Sequence, residues 1–93
     1  MDARINEGYV ITDSIHVGET EFVFGKLDGK NPMYVTWACK GGDNYYWGHY
    51  FNDPLDAKKD LLIRAGEELE FQMERRARAA EKAPREPEKE SER

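Results

Sequence analysis

The sequence predicts an α+β fold: a four-stranded antiparallel meander with one long C-terminal helix packed on one face, followed by a disordered charged tail. Three compositional zones carry that reading. From Tyr9 to Phe51 the chain is rich in Tyr, Val, Phe, Trp and Thr, broken by Gly, Asn, Asp and Pro, which is the composition of strands and tight turns. From Pro54 to about Ala83 it changes to Leu, Ala, Glu, Lys and Arg with no further proline, the composition of a helix. From Pro84 the run Pro-Arg-Glu-Pro-Glu-Lys-Glu-Ser-Glu-Arg has nothing to bury and is expected to stay solvated. The chain therefore divides into an N-terminal arm at 1–8, one domain at 9–83 and a tail at 84–93. No internal repeat is visible.

The first strand is expected at Tyr9–Val17, with Tyr9, Ile11, Ile15 and Val17 on one side and Val10, Thr12, Ser14 and His16 on the other. Gly18-Glu19 supports a tight turn into Thr20–Leu27, where Phe22 and Phe24 share a face opposite Glu21, Val23 and Leu27. Asp28 to Pro32 is dense in turn residues. The third strand, Met33–Lys40, sets Met33, Val35, Trp37 and Cys39 against Tyr34, Thr36, Ala38 and Lys40, and Gly41 to Asn44 closes a hairpin onto a fourth strand at Tyr45–Phe51. The parity of that last strand depends on the loop. A two-residue turn at Gly42-Asp43 would put Trp47 on the face of Ala38; a three- or five-residue loop would put it beside Trp37, which matches the apolar pattern better.

The helix start is the clearest local signal. Asp53 suits the N-cap, Pro54 the first helical position, and Asp56 places a carboxylate in the first turn. At about 100° per residue, Leu55, Leu62, Ala65, Leu69 and Met73 form a stripe that Leu61 extends, and this stripe is expected to dock on the sheet. It fades after Met73, so the last turns should project into solvent.

Composition excludes more than it identifies. Ninety-three residues allow one small domain, too short for a kinase, a TIM barrel or a two-domain dehydrogenase. Charged residues make up 35% of the chain and mean hydropathy is −0.89, yet aromatics reach 12%, unlike a disordered protein. The net charge of −5 disfavours non-specific DNA binding. The single Cys39 excludes an intrachain disulfide and a Cys-rich metal site, and suits a reducing compartment. With neither a signal peptide nor an apolar run of membrane length in view, the expected location is cytoplasmic. No cofactor and no metal are expected.

One helix covers one face of a small sheet, yet the fourth strand, Tyr45-Tyr46-Trp47-Gly48-His49-Tyr50-Phe51, carries aromatics on both. If Tyr45, Trp47 and Phe51 turn toward the helix, Tyr46 and Tyr50 turn away and join Tyr34. These form an aromatic ledge suited to protein docking or base stacking. The competing reading is a set of cross-strand pairs that stabilise a hairpin. The expected partner-binding residues are Tyr34, Tyr46, Tyr50 and His49, with Phe71 on the outer side of the helix. Arg75, Arg76 and Arg78 are candidate phosphate contacts, although cations near a helix C-terminus also complement its dipole. Cys39 with His49 on a neighbouring strand would be the one conceivable nucleophilic pair, against which stands the apolar setting of the thiol.

Glu21 to Gly25, then Tyr34 to Tyr50 (Tyr-Val-Thr-Trp-Ala-Cys-Lys-Gly-Gly-Asp-Asn-Tyr-Tyr-Trp-Gly-His-Tyr), then Asp56 to Leu61 resemble small accessory proteins carried on conjugative elements and phages of Gram-positive gut bacteria. They are also similar to the modules called large polyvalent protein-associated domains. The resemblance spans roughly Tyr9 to Met73 and brings no catalytic residues. It implies a mobile-element setting with an accessory or anti-defence role, such as inhibition of a CRISPR or restriction effector. Together these readings lead to a non-enzymatic binding protein that docks another protein, or its own twin in a homodimer, through an aromatic sheet face. The alternative is a single-stranded nucleic-acid-binding module using that face and the basic helix end.

Overall fold

The structure, a computed structural model, describes residues 4–82. It is α+β, with five strands where the sequence predicts four. These are β1 (Ile5–Asn6), β2 (Tyr9–Val17), β3 (Thr20–Leu27), β4 (Met33–Lys40) and β5 (Asn44–Phe51), followed by α1 (Pro54–Lys82). The strands form one antiparallel meander in sequence order, curled into a half-barrel. The additional strand comes from the segment read as an arm: Glu7 and Gly8, with φ of 54° and 86°, turn the chain so that Ile5 pairs with Val10 and Asn6 with Tyr9. Two residues are too few to show an alternating pattern. The tail predicted from Pro84 lies outside the described residues.

Two irregularities decide which side chains meet. Between Ile11 and Asp13 the register of β2 on β3 shifts, so Thr12 is an extra residue. Tyr9 and Ile11 consequently face away from the helix, while Ile15 and Val17 face it, rather than all four sharing one side. In β5, Lys40 pairs with Asn44 across a three-residue loop, Ala38 with Tyr46, and Thr36 with His49, so Trp47 and Gly48 together oppose Trp37. The longer loop is therefore the one formed, yet the bulge takes Trp47 off the face of Trp37 that this loop would have given it.

The sheet buries both of its faces. On the helix side, Phe22 and Phe24 pack with Val17 and Ala38 against Ala57, Leu61 and Ala65, and Ile15, Tyr34, Tyr46 and Phe51 close the margins. On the other side the curl brings Tyr9, Val23, Val35, Trp37 and Cys39 together, with Ile11, Leu27, Met33 and Tyr45 around them. The indole of Trp37 sits edge-on to Tyr9 at 5.6 Å and tilted to Tyr45 at 5.5 Å. A sheet that curls can shelter its second face without a second helix. The expected shortage of cover, on which the uncovered aromatic ledge depends, does not arise.

The helix starts as the sequence predicts: Asp53 Oδ1 accepts from the Leu55 N–H at 2.7 Å and Pro54 is the first helical residue. Its docking face differs. Leu61 and Ala65 are buried as expected, but they are joined by Ala57, while Leu55, Leu62, Leu69 and Met73 are all at least half exposed. The reason is volume. Phe22 and Phe24 reach up from the sheet and occupy the space that leucines would need, so alanines at 57 and 65 let the helix approach. Polar residues of the same face then bond the sheet directly: Gln72 Nε2 donates to Val17 O at 3.0 Å and Lys58 pairs with Asp13 at 3.2 Å.

Leu61 is the largest fully buried side chain among the described residues. Leu61→Ala should cost about 3 kcal/mol, most of the roughly 3–5 kcal/mol that so small a core supplies. Urea denaturation followed by tryptophan fluorescence is expected to show only about 0–2 kcal/mol of stability remaining, with the unfolding transition shifted close to zero urea.

Candidate functional site

The bulge in β5 organises the most unusual surface of the molecule. Trp47 adopts φ of 55°, a left-handed conformation rare for a bulky residue, and its side chain is 73% exposed. Gly48 follows because a side chain there would strike the buried indole: an added Cβ would lie 2.8 Å from Trp37 Nε1. Tyr46 supports the exposed ring edge-on at 4.9 Å. Arg64 reaches up from α1, where Nη2 donates to the Trp47 carbonyl at 2.8 Å.

Arg64 belongs to a polar cluster wedged between helix and sheet. Its Nη1 donates to Thr36 Oγ1 at 2.9 Å and to Thr36 O at 3.1 Å, and its guanidinium lies over the Phe22 ring at 5.7 Å. Thr36, fully buried, donates to Asp60 Oδ2 at 2.6 Å, and the same oxygen lies 3.0 Å from His49 Nδ1. Burial pulls the Arg64 pKa below its ordinary value while the Asp60 charge pulls it back up. Beside the cluster, Phe22, Trp47, His49, Arg64, Glu67 and Glu68 line an open pocket of about 260 Å³.

A histidine with Nδ1 on a carboxylate has the orientation of a general base, but the lining of this pocket includes no Ser, Thr or Cys for it to activate. The Thr36 hydroxyl is committed to Asp60. The cluster ties β4, β5 and α1 together around the Trp47 carbonyl. Among the described residues there is no group of three or more His, Cys, Asp or Glu that could hold a metal ion.

The remaining sequence-predicted residues are dispersed. Tyr34 and Tyr46 lie half-buried on the helix face, with Tyr34 tilted against Phe24 at 6.0 Å, whereas Tyr50 lies on the opposite face against Tyr9 and Trp37. The three tyrosines do not share a ledge, because the β5 bulge reverses parity between Tyr46 and Tyr50. Phe71 is half exposed beneath the Arg75 guanidinium at 5.2 Å, Arg78 pairs with Glu74 at 3.7 Å, and Arg76 is exposed on the far half of the helix. Cys39 and His49 point to opposite faces: Cys39 is opposite Tyr45, inside the curl, and His49 is opposite Thr36, under the helix. The pair is not formed, and burial pushes the Cys39 thiol above its ordinary pKa, with Glu21 adding to the effect.

Sequence reasoning missed Arg4, Thr36, Asp60 and Arg64. Arg4 closes the open end of the curl: it donates to Glu21 at 2.7 and 3.2 Å, to the Tyr45 hydroxyl at 3.0 Å and to Gly42 O at 3.2 Å. Nothing local marks an arginine in an arm as the partner of a buried glutamate. For Trp47 a signal existed, since glycine inside an aromatic strand points to a bulge.

Compared with known proteins, the chain matches no family model, no curated protein and no solved structure. No described helix is long and apolar enough to cross a membrane.

Two measurements check the geometry. Cys39 is expected to resist alkylation in the native protein and to react only on unfolding, followed by intact mass. The Arg4 guanidinium holds the Glu21 carboxyl below its ordinary range, and Thr12 and Lys58 do the same for Asp13. Depressed carboxylates contribute stability that is complete above their unfolded pKa, about 4, and is lost as the pH falls through their lower folded values. Glu21→Gln should therefore flatten the acid limb of a plot of urea midpoint against pH, and cost about 1 kcal/mol near neutrality.

Proposed function

We propose that the chain is a non-catalytic binding protein that docks another protein on the β5 edge, with Trp47 as the anchor. The observation that supports it most is the cost of the Trp47 conformation. A bulky residue at left-handed φ is unfavourable by about 1–2 kcal/mol, and the exposed ring recovers little of this in the monomer. An asparagine or glycine would fit the bulge better. A tryptophan held out by Arg64 and supported by Tyr46 is suited to fill a cleft on a partner, as interface hot spots do.

The partner's chemistry follows from the surroundings. Glu67 and Glu68 line the pocket beside Trp47, and the chain carries a net charge of −5. A protein surface presenting a lysine or arginine beside an apolar cleft would place its cation between the indole and the two carboxylates. An anti-defence role is one form that such docking would take, with a nuclease of a defence system as the basic partner. That setting rests on the sequence resemblance alone. The nucleic-acid reading loses its platform, because Tyr34, Tyr46 and Tyr50 do not lie on one face.

The test separates binding from folding. Trp47→Asn should leave the fold intact and raise its stability by about 0.5–1 kcal/mol, because it relieves backbone strain and gives up only the exposed edge contact with Tyr46. A photo-crosslinking amino acid at Glu67, in the pocket beside Trp47, in the full chain expressed in its host should give a discrete protein adduct that Trp47→Asn abolishes and that a crosslinker at Lys30 in the β3–β4 loop does not give. Adducts to nucleic acid alone, or none, would overturn the reading.

A further inference from the structure

Four members of the apolar stripe of α1 that the sequence assigns to the sheet are left outside it, while Leu61 and Ala65 are buried. Leu55, Leu62, Leu69 and Met73 are 77%, 58%, 50% and 53% exposed and follow one another along a single side of the helix. Between that side and β2 runs a groove of about 460 Å³ whose lining includes Ile15, Val17, Leu62, Ala65, Gly66 and Leu69. The stretch of β2 beneath it is the part that β1 leaves uncovered, since β1 pairs only with Tyr9 and Val10.

Two further features say what covers this surface. The first is Gly66 in the middle of α1. Glycine inside a helix costs about 1 kcal/mol relative to alanine, and nothing lies within 4 Å of the position its Cβ would occupy. The isolated chain has no steric need for it. A second helix crossing at that point would have one, because the absence of a side chain lets two backbones approach closely. The second is the order of charges beside the stripe, where Lys59 precedes Leu62 and Glu70 follows Leu69. When two copies of α1 run antiparallel and cross at Gly66, Leu62 meets Leu69 of the partner subunit. Lys59 then lies within one helical turn of the partner's Glu70, and the pair occurs twice by symmetry. A parallel arrangement would instead carry the flank that holds Lys59 and Glu70 to opposite sides of the interface in the two copies, and the pair would not form. The stripe is thus complementary to itself in one direction, as a two-fold interface requires.

We infer that the chain forms a homodimer in which the Leu62–Gly66–Leu69 stripe of α1 packs antiparallel on the same stripe of a second copy, with Lys59 and Glu70 pairing across the axis. The surface is separate from the Trp47 edge: one adjoins β2 and the other is on β5, at the far side of the meander. A dimer of this form presents two Trp47 anchors, and loss of either property leaves the other intact.

Sedimentation equilibrium on the full chain at a series of concentrations, with light scattering, tests the inference. The expected result is a reversible monomer–dimer equilibrium with no larger species. Leu69→Glu, at a position exposed in the monomer, should weaken it by at least about tenfold, or 1.4 kcal/mol, with an unchanged circular dichroism spectrum. Lys59→Glu should weaken it, and Lys59→Glu combined with Glu70→Lys should restore it. Gly66→Leu, which meets nothing in the isolated chain, should also weaken association by keeping the two backbones apart, while leaving the monomer folded. A parent chain that stays monomeric up to its solubility limit overturns the proposal. So does a dimer that withstands both Leu69→Glu and the Lys59 reversal, or a charge exchange that fails to restore association in a folded variant.

Discussion

The fold is governed by the need to bury two faces of one sheet with a single helix. β3 and β4 are apolar on both sides: Phe22, Phe24 and Ala38 on one, Val23, Val35, Trp37 and Cys39 on the other. A flat sheet would leave the second set in water. Curling solves the problem, and the two bulges, at Thr12 in β2 and at Trp47 in β5, make the flanking strands serve both cores. Each bulge reverses the alternation partway along its strand, so Ile15 and Val17 pack under the helix while Tyr9 and Ile11 fill the curl. The Arg4–Glu21 pair then closes the end of the curl with a charge-assisted, two-pronged contact.

The same devices explain what the sequence could and could not reveal. Signals that act over a few residues were legible: the Asp53-Pro54 helix start, the Gly18 turn, and the alternation of β3 and β4, which run without interruption. A bulge inserts one residue and inverts every assignment beyond it, and no period of two can announce that. The Tyr34, Tyr46 and Tyr50 ledge failed for this reason. The helix face was misread through a different omission. Periodicity weighs the apolar character of α1 alone, whereas the docking face is set by the volume that Phe22 and Phe24 bring to the contact. Ala57 and Ala65 are small because the rings opposite are large. A reading that matched sheet volume to helix volume, rather than ranking stripes by hydrophobicity, would have found them.

The polar layer between helix and sheet has an energetic logic of its own. Thr36, Asp60, His49 and Arg64 satisfy one another, and among the described residues no buried side-chain nitrogen or oxygen is left without a hydrogen-bond partner. A partly buried network of this kind, with Thr36 at its core and His49 half exposed, fixes geometry more than it adds stability. Here the geometry being fixed includes the strained bulge, because one of the Arg64 nitrogens is spent on the Trp47 carbonyl. The interior thus holds a surface residue in a conformation that the strand alone would not select.

That link gives the two exposed surfaces different characters. At β5 a single large ring is displayed against backbone preference and braced from within, an arrangement suited to insertion into a preformed cleft. Beside β2 the exposed groups are aliphatic, repeat along a helix at its natural period and need no strain to be presented, an arrangement suited to packing against another helix. Both surfaces follow from α1 turning Ala57, Leu61 and Ala65, and not Leu62 and Leu69, toward the sheet. The inward face then had room for Arg64 to reach β5, and Leu62 and Leu69 were left to look sideways over β2.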